Sequence, residues 1–67
     1  MENIIASRLR RLREERKESL RVATNGSGYS SQQLLHVETG RTLNPGIELL
    51  RAMARHYGVS VSYLIGE

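Results

Sequence analysis

The sequence predicts an all-α protein, a compact bundle of five short helices. Three observations support this prediction: apolar residues recur at helical spacing, good capping residues stand at the ends of those segments, and no segment has the pattern of a convincing strand. With 67 residues the chain, residues 1–67, is expected to form one domain, near the size at which a hydrophobic core only just offsets chain entropy. Since it has no cysteine, helix packing or a partner subunit must stabilise it.

The first helix is predicted over residues 4–17. Ile5, Leu9 and Leu12 fall on one face of it, which makes the segment amphipathic. Its other face is basic and carries Arg8, Arg10, Arg11, Arg16 and Lys17.

A second, shorter helix is predicted over residues 19–25. Ser19 is a suitable N-cap, and Leu20 and Ala23 face inward. The helix must end quickly, because the residues that follow are poor helix formers. The sequence Asn-Gly-Ser-Gly at residues 25–28 predicts a turn or loop.

The third helix is predicted over Ser30–Thr39, and its end signals are clear. Ser30 is a good N-cap, and Gly40 suits the left-handed position just past a helix end. Leu34 and Val37 lie three residues apart and share the inward face.

The fourth helix is predicted to have Asn44 as its cap and Pro45 in its first turn, and to end at Gly58. Its predicted buried residues are Ile47, Leu50, Met53, Ala54 and Tyr57. Ser60 begins a last short helix, whose apolar residues are Val61, Leu64 and Ile65.

Positive charge is concentrated in the first part of the chain. The formal net charge is +3, and residues 1–28 hold seven Lys and Arg against four Glu, whereas residues 29–67 hold three against three. This distribution favours a polyanionic partner.

The outward face of the third helix is the most informative feature. Its side chains are small, polar or amide-bearing: Ser31, Gln32, Leu35, His36 and Thr39. Arg41, Thr42 and Asn44 follow at once. Such a face suits a helix laid in the major groove of DNA. Outward Gln and His are also common on ordinary solvated helices, so this segment alone leaves both interpretations open.

The whole pattern resembles the DNA-binding domain of the lambdoid phage repressors and Cro, also called xenobiotic-response-element helix-turn-helix proteins. The residues that carry the resemblance are Leu9-Arg10-Arg11-Leu12-Arg13-Glu14-Glu15-Arg16, Glu38-Thr39-Gly40 with the following Asn44-Pro45, and the segment from Ile47 to Ile65 around Tyr57-Gly58-Val59-Ser60. The resemblance spans nearly the whole chain and implies a lambda-repressor-like five-helix bundle with a helix-turn-helix.

The resemblance also implies residue roles. Base contacts fall to Ser31, Gln32, Leu35 and His36. Contacts to the sugar-phosphate backbone fall to Thr39, Arg41 and Asn44. Arg13 and Glu38 match positions that form an ion pair beneath the recognition helix, although two separate surface charges are the alternative.

One departure concerns the second helix. The family usually has a hydroxyl residue followed by a Gln that contacts phosphate, but here Ser19 is followed by Leu20. Lys17, Arg21 or loop amides are the candidate replacements for that phosphate contact.

The residue inventory argues against an enzyme. The chain has no Asp and no Cys, and His36 and His56 lie on different predicted helices. No catalytic constellation, cofactor site or metal site is therefore expected. We expect a soluble, cytoplasmic protein, since no apolar run is long enough to span a bilayer and no signal-peptide pattern precedes the first helix.

These patterns predict a sequence-specific binder of double-stranded DNA, a transcriptional repressor or similar regulator. A homodimer on a two-fold symmetric operator is expected, with Val61, Leu64 and Ile65 as a possible interface, although all three residues could instead close the core. The alternative function is a small protein-interaction module, antitoxin-like or the assembly domain of a regulator.

Overall fold

The computed structural model describes residues 3–67, and these residues fold into five helices. The helices are α1 (Ile4–Glu15), α2 (Leu20–Thr24), α3 (Ser31–Glu38), α4 (Ile47–Tyr57) and α5 (Val61–Ile65). The predicted all-α class is confirmed, because residues 3–67 contain no strand. None of the helices in that range has the length and apolarity needed to cross a membrane.

The core lies between all five helices. α1 packs against α3 and α5, α2 packs against α3 and α4, and α4 packs against α5. The largest side chains that are fully buried are Leu9, Leu34, Val37, Met53 and Leu64. Each helix is too short to be stable alone, so the shared core is what holds them.

α1 ends two residues before its predicted end. Its C-cap is Arg16, and Lys17 adopts a left-handed conformation with φ of 54°. Lys17 N–H donates to the Glu14 carbonyl and Glu18 N–H donates to the Arg13 carbonyl, at 3.0 and 3.1 Å. These bonds end the helix at a left-handed residue, a position that glycine usually occupies. Because lysine rarely adopts this conformation, the sequence does not indicate that the helix ends here.

α2 matches its predicted position. The Ser19 hydroxyl accepts a hydrogen bond from Val22 N–H at 3.1 Å, and Ala23 is buried. Leu20 packs against the edge of the core. Residues 25–30 then connect α2 to α3, which is a longer connection than a tight turn.

α4 begins later than predicted. Its N-cap is Gly46, whose carbonyl accepts hydrogen bonds from the N–H groups of Leu49 and Leu50. Asn44 therefore does not cap this helix, and Pro45 lies outside it. The prediction that Ile47 is buried is also wrong: its position in the first turn lies beyond the edge of the small core, and Leu49 is buried instead.

Two arginines of the α1 segment reach other helices. The Arg16 guanidinium donates to the Tyr57 carbonyl at 2.6 Å, and its centre lies 5.4 Å from the Tyr57 ring centroid. The Arg8 guanidinium donates to the Tyr63 carbonyl and lies over the Tyr63 ring. Both carbonyls are at or near the C-terminal ends of helices, where a cation is favourable.

Tyr57 brings a polar atom into the core. Its hydroxyl is buried and has no hydrogen-bond partner within residues 3–67. Burial, with smaller effects from the charges of Glu38 and Glu18, raises the pKa of Tyr57 to about 12. The folded protein therefore holds this proton more tightly than the unfolded chain does.

Replacement of Tyr57 by Phe tests this consequence of burial. Near neutral pH the free energy of unfolding should change by less than about 1 kcal/mol or rise, because the lost hydroxyl was unpaired. As pH rises from about 10 to about 12, the native protein should lose roughly 1–3 kcal/mol of stability that Tyr57→Phe retains. Tyr63→Phe, at an exposed position, is the control and should follow the native curve. Urea denaturation at each pH gives the free energy of unfolding. The same dependence of this free energy on pH in Tyr57→Phe and in the native protein would contradict the prediction.

Candidate nucleic-acid interface

α3 begins with a reciprocal pair of hydrogen bonds. The Ser30 hydroxyl accepts from Gln33 N–H at 3.1 Å, and Ser30 N–H donates to Gln33 Oε1 at 2.8 Å. This arrangement is a capping box, and it fixes the first turn of the helix. The Gln33 carbonyl oxygen is therefore occupied by the backbone, although the side chain is exposed. The pattern Ser-x-x-Gln was present in the sequence as a signal for this role.

The two faces of α3 differ as the sequence predicts. Leu34 and Val37 are buried, as is Glu38. On the other face Gln32 and Thr39 are exposed, whereas Ser31, Leu35 and His36 are half-buried.

Hydrogen bonds within this outward face occupy donor or acceptor groups of three of its side chains. Gln32 Nε2 lies 3.0 Å from His36 Nε2, one helical turn along. The Thr39 hydroxyl donates to the Leu35 carbonyl at 2.8 Å, so it retains only acceptor capacity.

The segment after α3 continues the polar surface. Arg41 and Asn44 are exposed, and Thr42 N–H donates to the His36 carbonyl at 3.0 Å, which folds this segment back onto the helix. A groove of about 280 Å³ lies between this segment, α3 and α4, and His36 forms part of its wall.

Beneath α3 lies the ion pair that the resemblance implies. Arg13 Nε is 2.8 Å from Glu38 Oε2 and 3.1 Å from Oε1, and Arg13 Nη2 is 2.9 Å from Oε1. The Glu38 side chain is only 2% exposed and that of Arg13 is 19% exposed. The hydrogen bond to Glu38 raises the pKa of Arg13 above its ordinary value. The remaining Arg13 amine donates to the Glu18 carbonyl at 2.9 Å, a contact that no pattern in the sequence predicts.

Most of the basic side chains in residues 3–67 are engaged within the fold. Arg10, Arg11 and Arg51 pair with carboxylates on their own helices, at 3.3 to 3.5 Å. Lys17, Arg21, Arg41 and Arg55 form no ion pair with another residue in that range. The first three of these are the cations assigned to the DNA backbone from the sequence, and all are exposed.

The possible dimer surface needs one correction. Leu64 is fully buried and belongs to the core, because it is the one residue of α5 that is fully enclosed where the helix packs against α1 and α4. Val61 is half-buried and Ile65 is exposed. The exposed apolar residues near Ile65 are Ile4, whose side chain lies against Gly66, and Tyr63. A surface for a second copy would therefore use Ile65 without Leu64.

A family model described as a helix-turn-helix domain matches residues 4–62, from the start of α1 into α5. This chain belongs to the helix-turn-helix domain family.

A curated relative extends this finding. The HTH-type transcriptional regulator DdrOP3 of Deinococcus deserti is 38% identical over 61 residues, which cover 91% of this helix-turn-helix chain and 46% of that protein. The chain thus spans about half the length of the curated relative that it matches. No solved structure matches at a comparable level of significance.

Replacement of Glu38 by Ala tests the energetic role of the buried pair. It leaves the Arg13 charge partly buried without its partner, and we expect a loss of roughly 3–5 kcal/mol in the free energy of unfolding. The matched control is Glu14→Ala, which breaks the exposed pair with Arg10 and should cost less than about 1 kcal/mol. Urea denaturation followed by circular dichroism measures both. Equal losses in the two variants would mean that burial of the Arg13–Glu38 pair has no energetic consequence.

Proposed function

We propose that this helix-turn-helix domain is the DNA-binding part of a transcriptional repressor similar to the lambdoid phage repressors, with α3 as the helix that enters the major groove. The observation that carries the proposal is the outward face of α3, which presents the exposed Gln32 amide beside half-buried Ser31 and His36. A side-chain amide in this position can contact base edges in the major groove. The name of the relative DdrOP3, a transcriptional regulator, supports the same function.

The exposed cations supply the complementary contact. Lys17, Arg21 and Arg41 have no carboxylate partner within residues 3–67, so binding to phosphate would not require an internal ion pair to break. With Leu20 packed at the core, Arg21 and Lys17 take over the phosphate contact that a Gln supplies in the lambdoid repressors. Thr39 and Asn44 add neutral contacts to the backbone, and Ser31, Leu35 and His36 join Gln32 at the bases.

A two-fold dimer on DNA completes the proposal. One recognition helix reads few base pairs, so domains of this kind pair on half-sites about one helical turn apart, roughly 34 Å. Exposed Ile4, Tyr63 and Ile65 lie at the end of the bundle formed by α1 and α5, and they are the apolar residues that a second copy would cover.

The salt dependence of binding to random duplex DNA tests the electrostatic part. The logarithm of the binding constant should fall linearly with the logarithm of salt concentration, with a slope of about −0.9 for each phosphate contacted. Arg41→Ala should reduce that slope by about one. The control is Arg51→Ala on α4, whose guanidinium already pairs with Glu48 and which should leave the slope unchanged. Absence of duplex binding even at about 50 mM salt would overturn the proposed function.

Occupancy of paired half-sites tests the dimer. Ile65→Glu should abolish cooperative binding, because a carboxylate would have to be desolvated at the interface, while a folded monomer persists. Ile47→Glu is the matched control: Ile47 is 50% exposed against 36% for Ile65, but it lies at the start of α4. Footprinting on an inverted repeat gives the readout. If both variants retain cooperative occupancy, the dimer does not use this surface.

A further inference from the structure

The direction of the hydrogen bond between Gln32 and His36 follows from the chemistry of the two groups. Gln32 Nε2 lies 3.0 Å from His36 Nε2. An amide nitrogen can only donate, so the imidazole Nε2 must accept. This direction requires the tautomer of the ring that carries its proton on Nδ1.

The two partners differ in how firmly they are held. His36 is half-buried and lies in the wall of the groove beside Tyr29, Val37 and Pro45, and its backbone carbonyl is bonded by Thr42 N–H. Gln32 is exposed, and its one side-chain hydrogen bond within residues 3–67 is the bond to His36. The imidazole is thus the fixed end of the pair, and the long glutamine side chain is the end whose rotamer the bond selects.

We propose that His36 is a positioning residue that sets the base preference of Gln32. With one Nε2–H donated to His36, the amide still offers Oε1 as an acceptor and one N–H as a donor. This pattern complements the N6 amino group and N7 of adenine. Guanine presents two acceptors, O6 and N7, and an amide with one remaining donor satisfies only one of them. His36 therefore contributes to discrimination between adenine and guanine through Gln32, and this contribution is separate from the base contact proposed above.

The neighbouring glutamine provides an internal comparison. Gln33 is also exposed, but its Oε1 accepts from Ser30 N–H in the capping box. This bond holds the Gln33 side chain against the first turn of α3, so its amide is not free to turn toward a base. Of the two adjacent amides, the fold leaves the recognition role to Gln32.

This inference rests on the proposed function, since it requires that α3 enters the major groove. The test therefore begins with the native protein and a random duplex pool, from which bound sequences are selected. Gln32→Ala in the same pool identifies the base position that Gln32 reads, as the position whose preference is lost. A native protein that selects no sequence, or a Gln32→Ala variant that selects the same sequences, overturns the base-reading role and the inference with it.

Two variants of His36 then separate positioning from packing. His36→Phe keeps a ring in the groove but removes the acceptor, and we expect the preference for adenine over guanine at the Gln32 position to fall by roughly tenfold. His36→Gln provides an acceptor again and should restore most of that preference. Binding to random duplex should change little in either variant. If His36→Phe keeps the adenine preference while Gln32→Ala loses it, or if it weakens all sequences alike, the positioning role is wrong and the proposed function stands.

A measurement on the DNA-free protein covers the case in which His36→Phe fails to fold. Nitrogen-15 spectra of the native protein at about pH 8 report which imidazole nitrogen carries the proton. We expect the proton on Nδ1 and a through-bond or chemical-shift signature of a hydrogen bond from the Gln32 amide to Nε2. A proton on Nε2 would overturn the inference, since that nitrogen could then no longer accept.

Discussion

The bond network around Arg13 is the constraint on which the rest of the structure depends. One guanidinium joins α3, through the buried Glu38 carboxylate, to the turn before α2, through the Glu18 carbonyl. Because α1 carries Arg13, three segments are set relative to one another by a single side chain. A buried ion pair contributes little net stability, since desolvation of both charges offsets most of their attraction. The planar guanidinium and carboxylate can form their paired hydrogen bonds in few relative orientations, however, so the network defines the orientation of α3 on the bundle.

Glu18 strengthens the same junction from a second direction. Its carboxylate lies 2.8 Å from His56 Nε2 near the end of α4, while its carbonyl accepts from Arg13. The turn between α1 and α2 is therefore held on both sides. By contrast, residues 25–30 depend on local bonds such as the one from the Ser27 hydroxyl to the Thr24 carbonyl, at 2.7 Å. We therefore expect the backbone amides of residues 25–30 to be less protected from hydrogen exchange than those of the turn between α1 and α2.

Local chemistry explains which parts of the fold were predictable. The ends of α3 follow from Ser30 and Gly40, since capping depends on a few adjacent residues. The last turn of α1 and the start of α4 do not, because Lys17 takes a conformation usual for glycine and Gly46 serves as a cap without a side chain. A count of the charges on the basic face of α1 also overestimates the cations that are available to a partner. The Arg8 and Arg16 guanidiniums donate to carbonyl groups at or near the ends of other helices. Periodicity alone gave no route to the Arg13–Glu38 pair, whose partners are far apart in sequence, and only the family resemblance implied it.

The capping box at the start of α3 restricts how this domain can be re-engineered. A different reading surface could be transplanted onto α3 by exchange of its outward side chains, because those residues contribute little to the core. Position 33 looks equally available in the sequence, but its amide closes the first turn against Ser30. A graft that replaces Gln33 would loosen the helix that carries the grafted surface. Ser30 and Gln33 therefore belong to the scaffold, and the other outward side chains of α3 are the ones that can be exchanged.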